Sequence, residues 1–160
     1  MAELDEQDRW WLTSTIELSR LSPPTPTNYA VGAIVVGPDA TALATGYTGE
    51  MEPRQHAEEA ALAKLAAGPA PDLSRATLYS SLEPCTARKS RPGTCTERIL
   101  AAGIGRVVIA LREPLLFADC RGVETLRAGG VEVVEATDLG HLVRAVNAHV
   151  LDLKRVDGVR

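Results

Sequence analysis

The chain has 160 residues, of which 45% are hydrophobic and 24% charged, a composition typical of a soluble globular domain with a core large enough to fold unaided. No apolar run approaches the length of about 18 residues that marks a membrane span. The acidic N-terminal residues lack the pattern of a signal peptide, so we expect a cytoplasmic protein. The formal net charge of −4 disfavours long nucleic acid as a substrate, because proteins that bind phosphate backbones usually carry a basic balance.

The first quarter of the chain predicts a helix and then a β-hairpin. Apolar residues at helical spacing place the helix within residues 1–22, and the prolines that follow cannot continue it. Two stretches rich in small and β-branched residues, 29–37 and 42–49, flank a turn and predict the hairpin.

Helices and strands alternate in the remainder of the chain. The helix that begins at His56 is predicted to end at Gly68, a residue typical of helix C-termini. The predicted elements are helix 56–68, strand 76–82, helix 96–103, strand 104–111, helix 119–130, strand 131–136 and an amphipathic helix over 139–155. Such alternation indicates parallel pairing. We therefore predict one domain, residues 1–160, of the α/β class: a three-layer α/β/α sandwich whose five-stranded mixed sheet consists of the initial hairpin and then parallel strands.

Three residues of the types that bind zinc stand at the ends of predicted elements. His56 opens one helix, Cys85 follows a strand, and Cys95 opens the next helix. Ligands bind in the crevice beyond the carboxyl ends of the strands in an open α/β sheet, so both helix N-termini can face one crevice. Helix N-termini and a zinc ion both favour thiolate over thiol. The odd count of three cysteines also argues against a disulfide framework.

One imidazole and two thiolates would leave the fourth tetrahedral position of Zn²⁺ open for water, as in catalytic sites. Zinc lowers the pKa of such a water to about 7. Glu58 is two residues from His56 and does not share its helix face, so we expect it to act on that water as the proton shuttle rather than as a ligand.

A histidine two residues before a glutamate, followed by a proline–cysteine pair and a second cysteine, is typical of zinc nucleobase deaminases. The sequence resembles the cytidine and deoxycytidylate deaminase superfamily. It is most similar to the pyrimidine deaminase domain of riboflavin biosynthesis, over about residues 28–135, through "NYAVGAIVV", "HAEEAAL" and "LYSSLEPC". The resemblance covers that deaminase domain and not the reductase domain that most members of this branch also carry. It implies the cytidine deaminase-like fold, a Zn²⁺ cofactor, a small-molecule substrate and a homodimer or homotetramer.

The resemblance also implies a set of substrate-binding residues. Asn28 matches the asparagine that contacts substrate in that branch, and the backbone near Ala57 would help place the base. The pair Lys89-Ser90 is the nearest match to the lysine–threonine pair that contacts the substrate phosphate.

Two further candidates come from the residues themselves. Arg88 lies in the same cationic loop, and a guanidinium suits phosphate by its planar fork. Phe117 follows a predicted strand end, where an aromatic ring can stack on a base.

Several positions depart from the riboflavin branch. Tyr29 stands where that branch usually has proline, and the nine residues between the two candidate cysteine ligands include no histidine. Our prediction is a zinc-dependent hydrolytic deaminase of an aminopyrimidine nucleotide, with the riboflavin-pathway diaminopyrimidine ribosylamino phosphate as one candidate substrate. The alternatives are a deaminase of a free base, a nucleoside or a specialised metabolite, then a tRNA deaminase, then a non-catalytic zinc-stabilised binding module.

Overall fold

The structure, a computed structural model, describes residues 4–23, 25, 28–69, 71–86, 93–112 and 121–150. Within those ranges the strands and helices follow one another in the predicted order. The helices are α1 (Glu6–Leu18), α2 (Ala57–Ala66), α3 (Cys95–Ala102), α4 (Gly122–Ala128) and α5 (Gly140–Val146). The strands are β1 (Gly32–Val36), β2 (Ala42–Tyr47), β3 (Thr77–Leu82), β4 (Arg106–Leu111) and β5 (Glu132–Glu135).

The five strands form one mixed sheet in the order β2-β1-β3-β4-β5. The hairpin strands β1 and β2 are antiparallel, and β1 is also antiparallel to β3, with Ala33 opposite Ser80. The pairs β3–β4 and β4–β5 are parallel, with Val107 opposite Leu78 on one side and Val133 on the other. The prediction of a hairpin followed by parallel strands is confirmed.

Helices cover both faces of the sheet. Alternate strand residues point to opposite sides, so the buried side chains separate into two clusters. The cluster under α2, α3 and α4 includes Val35, Ala61, Leu78, Ile99, Val107, Val123 and Leu126. The cluster under α1 and α5 includes Leu12, Ile16, Ile34, Tyr79, Val108, Val134 and Val143. This arrangement is the predicted three-layer sandwich.

A buried polar cluster joins α1 to the sheet. The carboxylate of Asp8 accepts a hydrogen bond from the Tyr79 hydroxyl at 2.7 Å and two from the Arg106 guanidinium at 2.7 and 2.8 Å. Burial by itself raises the pKa of Asp8, but the hydrogen bonds from Arg106 and Tyr79 outweigh it and lower that pKa to about 2.

A missing side chain on β2 lets α2 lie close to the sheet. A Cβ atom added at Gly46 would lie 2.3 Å from the carbonyl oxygen of Ala57 and 2.7 Å from the backbone nitrogen of Ala61. Any residue larger than glycine would therefore push α2 outward. Because His56 immediately precedes α2, this contact sets the height of His56 above the sheet.

Several predicted boundaries differ from those of the structure, and three of these differences have an identifiable physical cause. The C-cap of α2 is Ala67, in the right-handed helical region with φ of −75°, rather than the predicted Gly68. Pro69 follows Gly68 and disfavours helical geometry at the residue before it. The first strand starts at Gly32 rather than 29, because side chains of Asn147 and Thr48 bind the backbone of residues 30 and 31.

The third wrong boundary is that of the helix predicted over 139–155, which does not run unbroken. A short 3-10 turn, Thr137–Leu139, precedes α5, and the helix is interrupted after Val146 at Asn147, whose side chain binds the backbone of Ala30, before residues 148–150 are helical again. Residues 151–155 of the predicted helix lie outside the described residues. Among those that are described, no helix has both the length and the apolar character to span a membrane.

Candidate active site

The first candidate ligand, His56, is the N-cap residue of α2. Its backbone is extended, with φ −83° and ψ 157°, as is typical of an N-cap residue. The backbone N–H of His56 donates to Oε1 of Glu59 at 3.2 Å. Glu59, the third residue of α2, thus fixes the backbone of His56 at the start of the helix.

The second candidate ligand, Cys85, lies in the loop that follows β3, and the start of α4 holds this loop from both sides. The backbone N–H of Val123 donates to Oε2 of Glu83 at 3.0 Å, and that of Arg121 donates to Oγ1 of Thr86 at 3.1 Å. A Cβ atom at Gly122 would lie 2.2 Å from the carbonyl oxygen of the residue before Cys85. The close approach of α4 thus fixes the position of Cys85.

The third candidate ligand, Cys95, is the first residue of α3. Thr94 caps this helix by accepting from the backbone N–H of Glu97 at 3.3 Å. The backbone N–H of Cys95 donates to Sγ of Cys85 at 3.3 Å, and the backbone N–H of Thr96 donates to the Cys85 carbonyl at 3.2 Å. The two cysteines, ten positions apart in the sequence, are thereby joined directly.

The donor atoms of these residues fit one tetrahedral metal ion. Nδ1 of His56 lies 3.2 Å from Sγ of Cys95 and 3.6 Å from Sγ of Cys85. All three donor atoms lie within 4.8 Å of one another. Zinc–nitrogen and zinc–sulfur bonds at tetrahedral angles require nitrogen–sulfur separations of about 3.6 Å. One imidazole and two thiols at this spacing form a set of ligands suited to Zn²⁺, and no fourth His, Cys, Asp or Glu joins the group among the described residues.

The protein's own groups favour one thiolate in this set. A hydrogen bond from the Cys95 thiol, with a further one from His56, lowers the pKa of Cys85 to about 4 although burial opposes the change. The hydrogen bond to Cys85 and burial raise the pKa of Cys95. A cation between the two sulfurs would favour ionisation of the second thiol as well.

Glu58 stands beside the three candidate ligands. Its side chain is buried, with 4% of the residue exposed, and its carboxyl interacts with the Cys95 thiol. Burial raises the pKa of Glu58, and the His56 imidazole opposes part of that rise. A carboxyl group with a raised pKa can both accept and release a proton near neutral pH. The structure therefore places a buried carboxyl group next to the three candidate ligands.

Two of the predicted substrate-binding residues, Ala57 and Asn28, are among the residues that the structure describes. Ala57 is fully buried at the start of α2. Asn28 is exposed, its backbone N–H donates to Oγ1 of Thr25 at 2.9 Å, and the antiparallel register of β1 and β3 puts it at the same sheet edge as Cys85. The others, Arg88, Lys89, Ser90 and Phe117, lie outside the described residues.

The structure also reveals residues around the site that the sequence analysis overlooked. Glu83 and Thr86 bind the start of α4, and Glu59 binds the backbone of His56. A local signal existed for Thr94, because a threonine three residues before a glutamate is typical of a helix start. The partners of Glu83 and Thr86 are far along the chain, so no local pattern could have indicated them.

Comparison with known proteins identifies the family. The model of the cytidine and deoxycytidylate deaminase zinc-binding region matches residues 5–111, which include all three candidate ligands and Glu58. The chain belongs to this family. The family description names zinc, in agreement with the donor set that the structure brings together.

Relatives within the family agree on one branch. The chain is 32% identical over 126 residues to the diaminohydroxyphosphoribosylamino-pyrimidine deaminase of Schizosaccharomyces pombe, covering 78% of this chain and 31% of that protein. Among solved structures, it is similar to the diaminohydroxyphosphoribosylaminopyrimidine deaminase/5-amino-6-(5-phosphoribosylamino)uracil reductase of Thermotoga maritima, with 31% identity and a TM-score of 0.80 over 96% of this chain and 42% of the other.

A fungal structure matches along its whole length. The Rib2 deaminase of Aspergillus oryzae, a C-terminal deletion mutant in complex with DARIPP, is 25% identical with a TM-score of 0.71, covering 92% of this chain and all of that one. The chain spans about a third of the length of the curated relatives it matches. The predicted resemblance to the riboflavin branch and the predicted cytidine deaminase-like fold are confirmed.

Proposed function

We propose that this protein is a zinc-dependent hydrolytic deaminase acting on an aminopyrimidine nucleotide, with the riboflavin-pathway diaminopyrimidine ribosylamino phosphate as the first candidate. The observation that carries the proposal is the buried carboxyl of Glu58 beside three converging zinc-type donor atoms. A purely structural zinc site gains nothing from a buried acid–base group, and a buried carboxylate is costly. The names of the relatives support the choice of substrate.

In this proposal His56, Cys85 and Cys95 hold the metal. A zinc ion bound there would supply a nucleophilic water whose pKa is lowered to about 7. The Glu58 carboxylate would accept a proton from the attacking water and deliver it to the departing amino group. Overall, the ring carbon exchanges its C–N bond for a C–O bond, and one water is consumed for each ammonia released.

Two parts of the substrate would meet different parts of the chain. We assign the heterocyclic ring to Asn28 and the backbone near Ala57, since both lie at the sheet edge that carries the candidate ligands. We assign the phosphate to Lys89 and Ser90 on the basis of the sequence resemblance, and to Arg88 because a guanidinium suits phosphate by its planar fork. The same resemblance supports a homodimer or homotetramer, which light scattering on the purified protein would test.

The test is ammonia release by the purified, zinc-loaded protein, with Glu58→Gln as the blank. General acid–base catalysis contributes about 100- to 10,000-fold to a rate. The deamination rate of Glu58→Gln should therefore fall by about 100-fold or more while the variant keeps its zinc. Release from the riboflavin-pathway phosphate is the expected result. Release only from cytosine, cytidine or guanine compounds would keep the chemistry and reject the phosphorylated substrate. No release from any compound, with zinc bound, would contradict the proposal.

A further inference from the structure

The side chain of Glu59 connects the backbone of His56 to the helix that begins with Cys95. Its Oε1 accepts the backbone N–H of His56 at 3.2 Å, and its Oε2 lies 3.3 Å from Nη2 of Arg98. Arg98 stands one helical turn after Cys95 in α3. One carboxylate therefore spans from the start of α2, which carries His56, to the helix that begins with Cys95.

The Glu59 end of this contact is more buried than in an ordinary surface ion pair. Only 7% of the Glu59 side chain and 36% of the Arg98 side chain are exposed. Exposed ion pairs contribute little to stability, whereas removing Arg98 would leave the buried Glu59 carboxylate poorly compensated. The positions of α2 and α3 are therefore coupled through this pair.

Arg98 also lies near a residue that precedes Cys95 in the sequence. A Cβ atom added at Gly93 would lie 3.1 Å from Nη2 of Arg98, and Gly93 has φ of +84°, which favours glycine. The guanidinium thus lies close to the residue that leads into Thr94 and Cys95. Its position bears on the backbone both before and after this candidate ligand.

We propose that Glu59 and Arg98 form a positioning pair that holds His56 and Cys95 at the separation required by a tetrahedral metal ion. Neither residue belongs to the donor group, which comprises His56, Cys85 and Cys95. The inference rests on the proposed zinc site, but it does not depend on which heterocycle is deaminated. Partners that orient metal ligands typically alter metal affinity by about 10- to 100-fold when removed.

A pair that merely joins two helices would behave differently. Its loss would lower the melting temperature without changing how the three candidate ligands bind metal. The chain offers a matched control on the same helix: Lys64 of α2 forms an ion pair with Glu50 at 2.6 Å and also donates to the Thr45 carbonyl at 2.7 Å. Lys64→Ala removes an ion pair from α2 without touching either candidate ligand or its backbone.

The experiment measures zinc affinity by chelator competition and the visible absorption spectrum of the Co²⁺-substituted protein. Glu59→Ala and Arg98→Ala should each weaken zinc binding by about 10-fold or more and change the Co²⁺ spectrum. The double variant should lose less affinity than the two single losses combined, because both substitutions break the same Glu59–Arg98 connection. Lys64→Ala should bind zinc as the wild type does.

Conservative variants keep the test decisive if an alanine variant fails to fold. Glu59→Gln retains an acceptor for the His56 N–H and Arg98→Lys retains the charge, so both should lie between wild type and the alanine variants. If the wild type binds zinc and all folded variants match it in affinity and spectrum, the positioning role is refuted and the deaminase proposal stands. If the wild type binds no zinc, both proposals fall.

Discussion

Substituting Gly46 by alanine should move the metal site without touching any of its residues. The new Cβ would lie 2.3 Å from the Ala57 oxygen, 2.7 Å from the Ala61 nitrogen and 3.0 Å from the Ala60 Cβ. Two of these three atoms belong to the backbone of α2, so no side-chain rotation can relieve the contact. The start of the helix itself must move away from the sheet.

The size of the displacement follows from the contact distances. Ordinary van der Waals contact begins at 3.4 Å, so the start of α2 must retreat by about 1 Å to clear the Ala57 oxygen. Overpacking of this kind costs about 1–3 kcal/mol of unfolding free energy, equivalent to a loss of about 3–10 °C in melting temperature for a chain of this size. Metal ligands tolerate displacements of only about 0.2 Å, and a misplacement of about 1 Å can cost 100-fold in rate.

The assay compares zinc affinity, melting temperature and deaminase activity of Gly46→Ala with those of Gly68→Ala. Gly68 lies just beyond the same helix, and a Cβ added there meets no atom within 4 Å. Gly68→Ala should therefore behave as wild type or be slightly more stable, because alanine reduces the freedom of the unfolded chain. If Gly46→Ala also matched wild type in all three measurements, the close packing of α2 on β2 would not control the site.

Three further predictions concern stability. The native pKa of Asp8 is lowered to about 2 from an ordinary 3.8, so its ionised form contributes about 2 kcal/mol above pH 4, and this contribution is lost as the pH falls towards 2. In urea titrations, the stability difference between wild type and Asp8→Asn should shrink over that range, and a constant difference would contradict the assignment. Asn147→Ala should cost about 2 kcal/mol or more, because it leaves the backbone of buried Ala30 without two hydrogen bonds; stability equal to that of the exposed-site variant His149→Ala would be the contrary result. A chelator should lower the melting temperature of the zinc-loaded protein, and a Cys85→Ser variant that still responded equally would argue against Cys85 as a ligand.

The order of helices and strands was predictable because it depends on neighbours in the sequence. The spacing of apolar residues in 56–68 and the glycine at Gly103, which has φ of +79° at the end of α3, are local signals with local causes. The unbroken C-terminal helix was a wrong prediction because Asn147 finds partners 117 residues away. A periodic pattern contains no information about such a partner.

The same distinction between local signals and distant contacts applies to the candidate site. The sequence alone determined the types of residues available for chemistry, because His56, Glu58, Cys85 and Cys95 occur at spacings typical of zinc deaminases. Only the tertiary structure decided how these residues meet: the 3.2 Å separation of His56 and Cys95, the Glu59 carboxylate between α2 and α3, and the close approach at Gly46. Residue type and local spacing are properties of short segments, whereas the distances between ligands depend on how closely helices pack against the sheet and against each other.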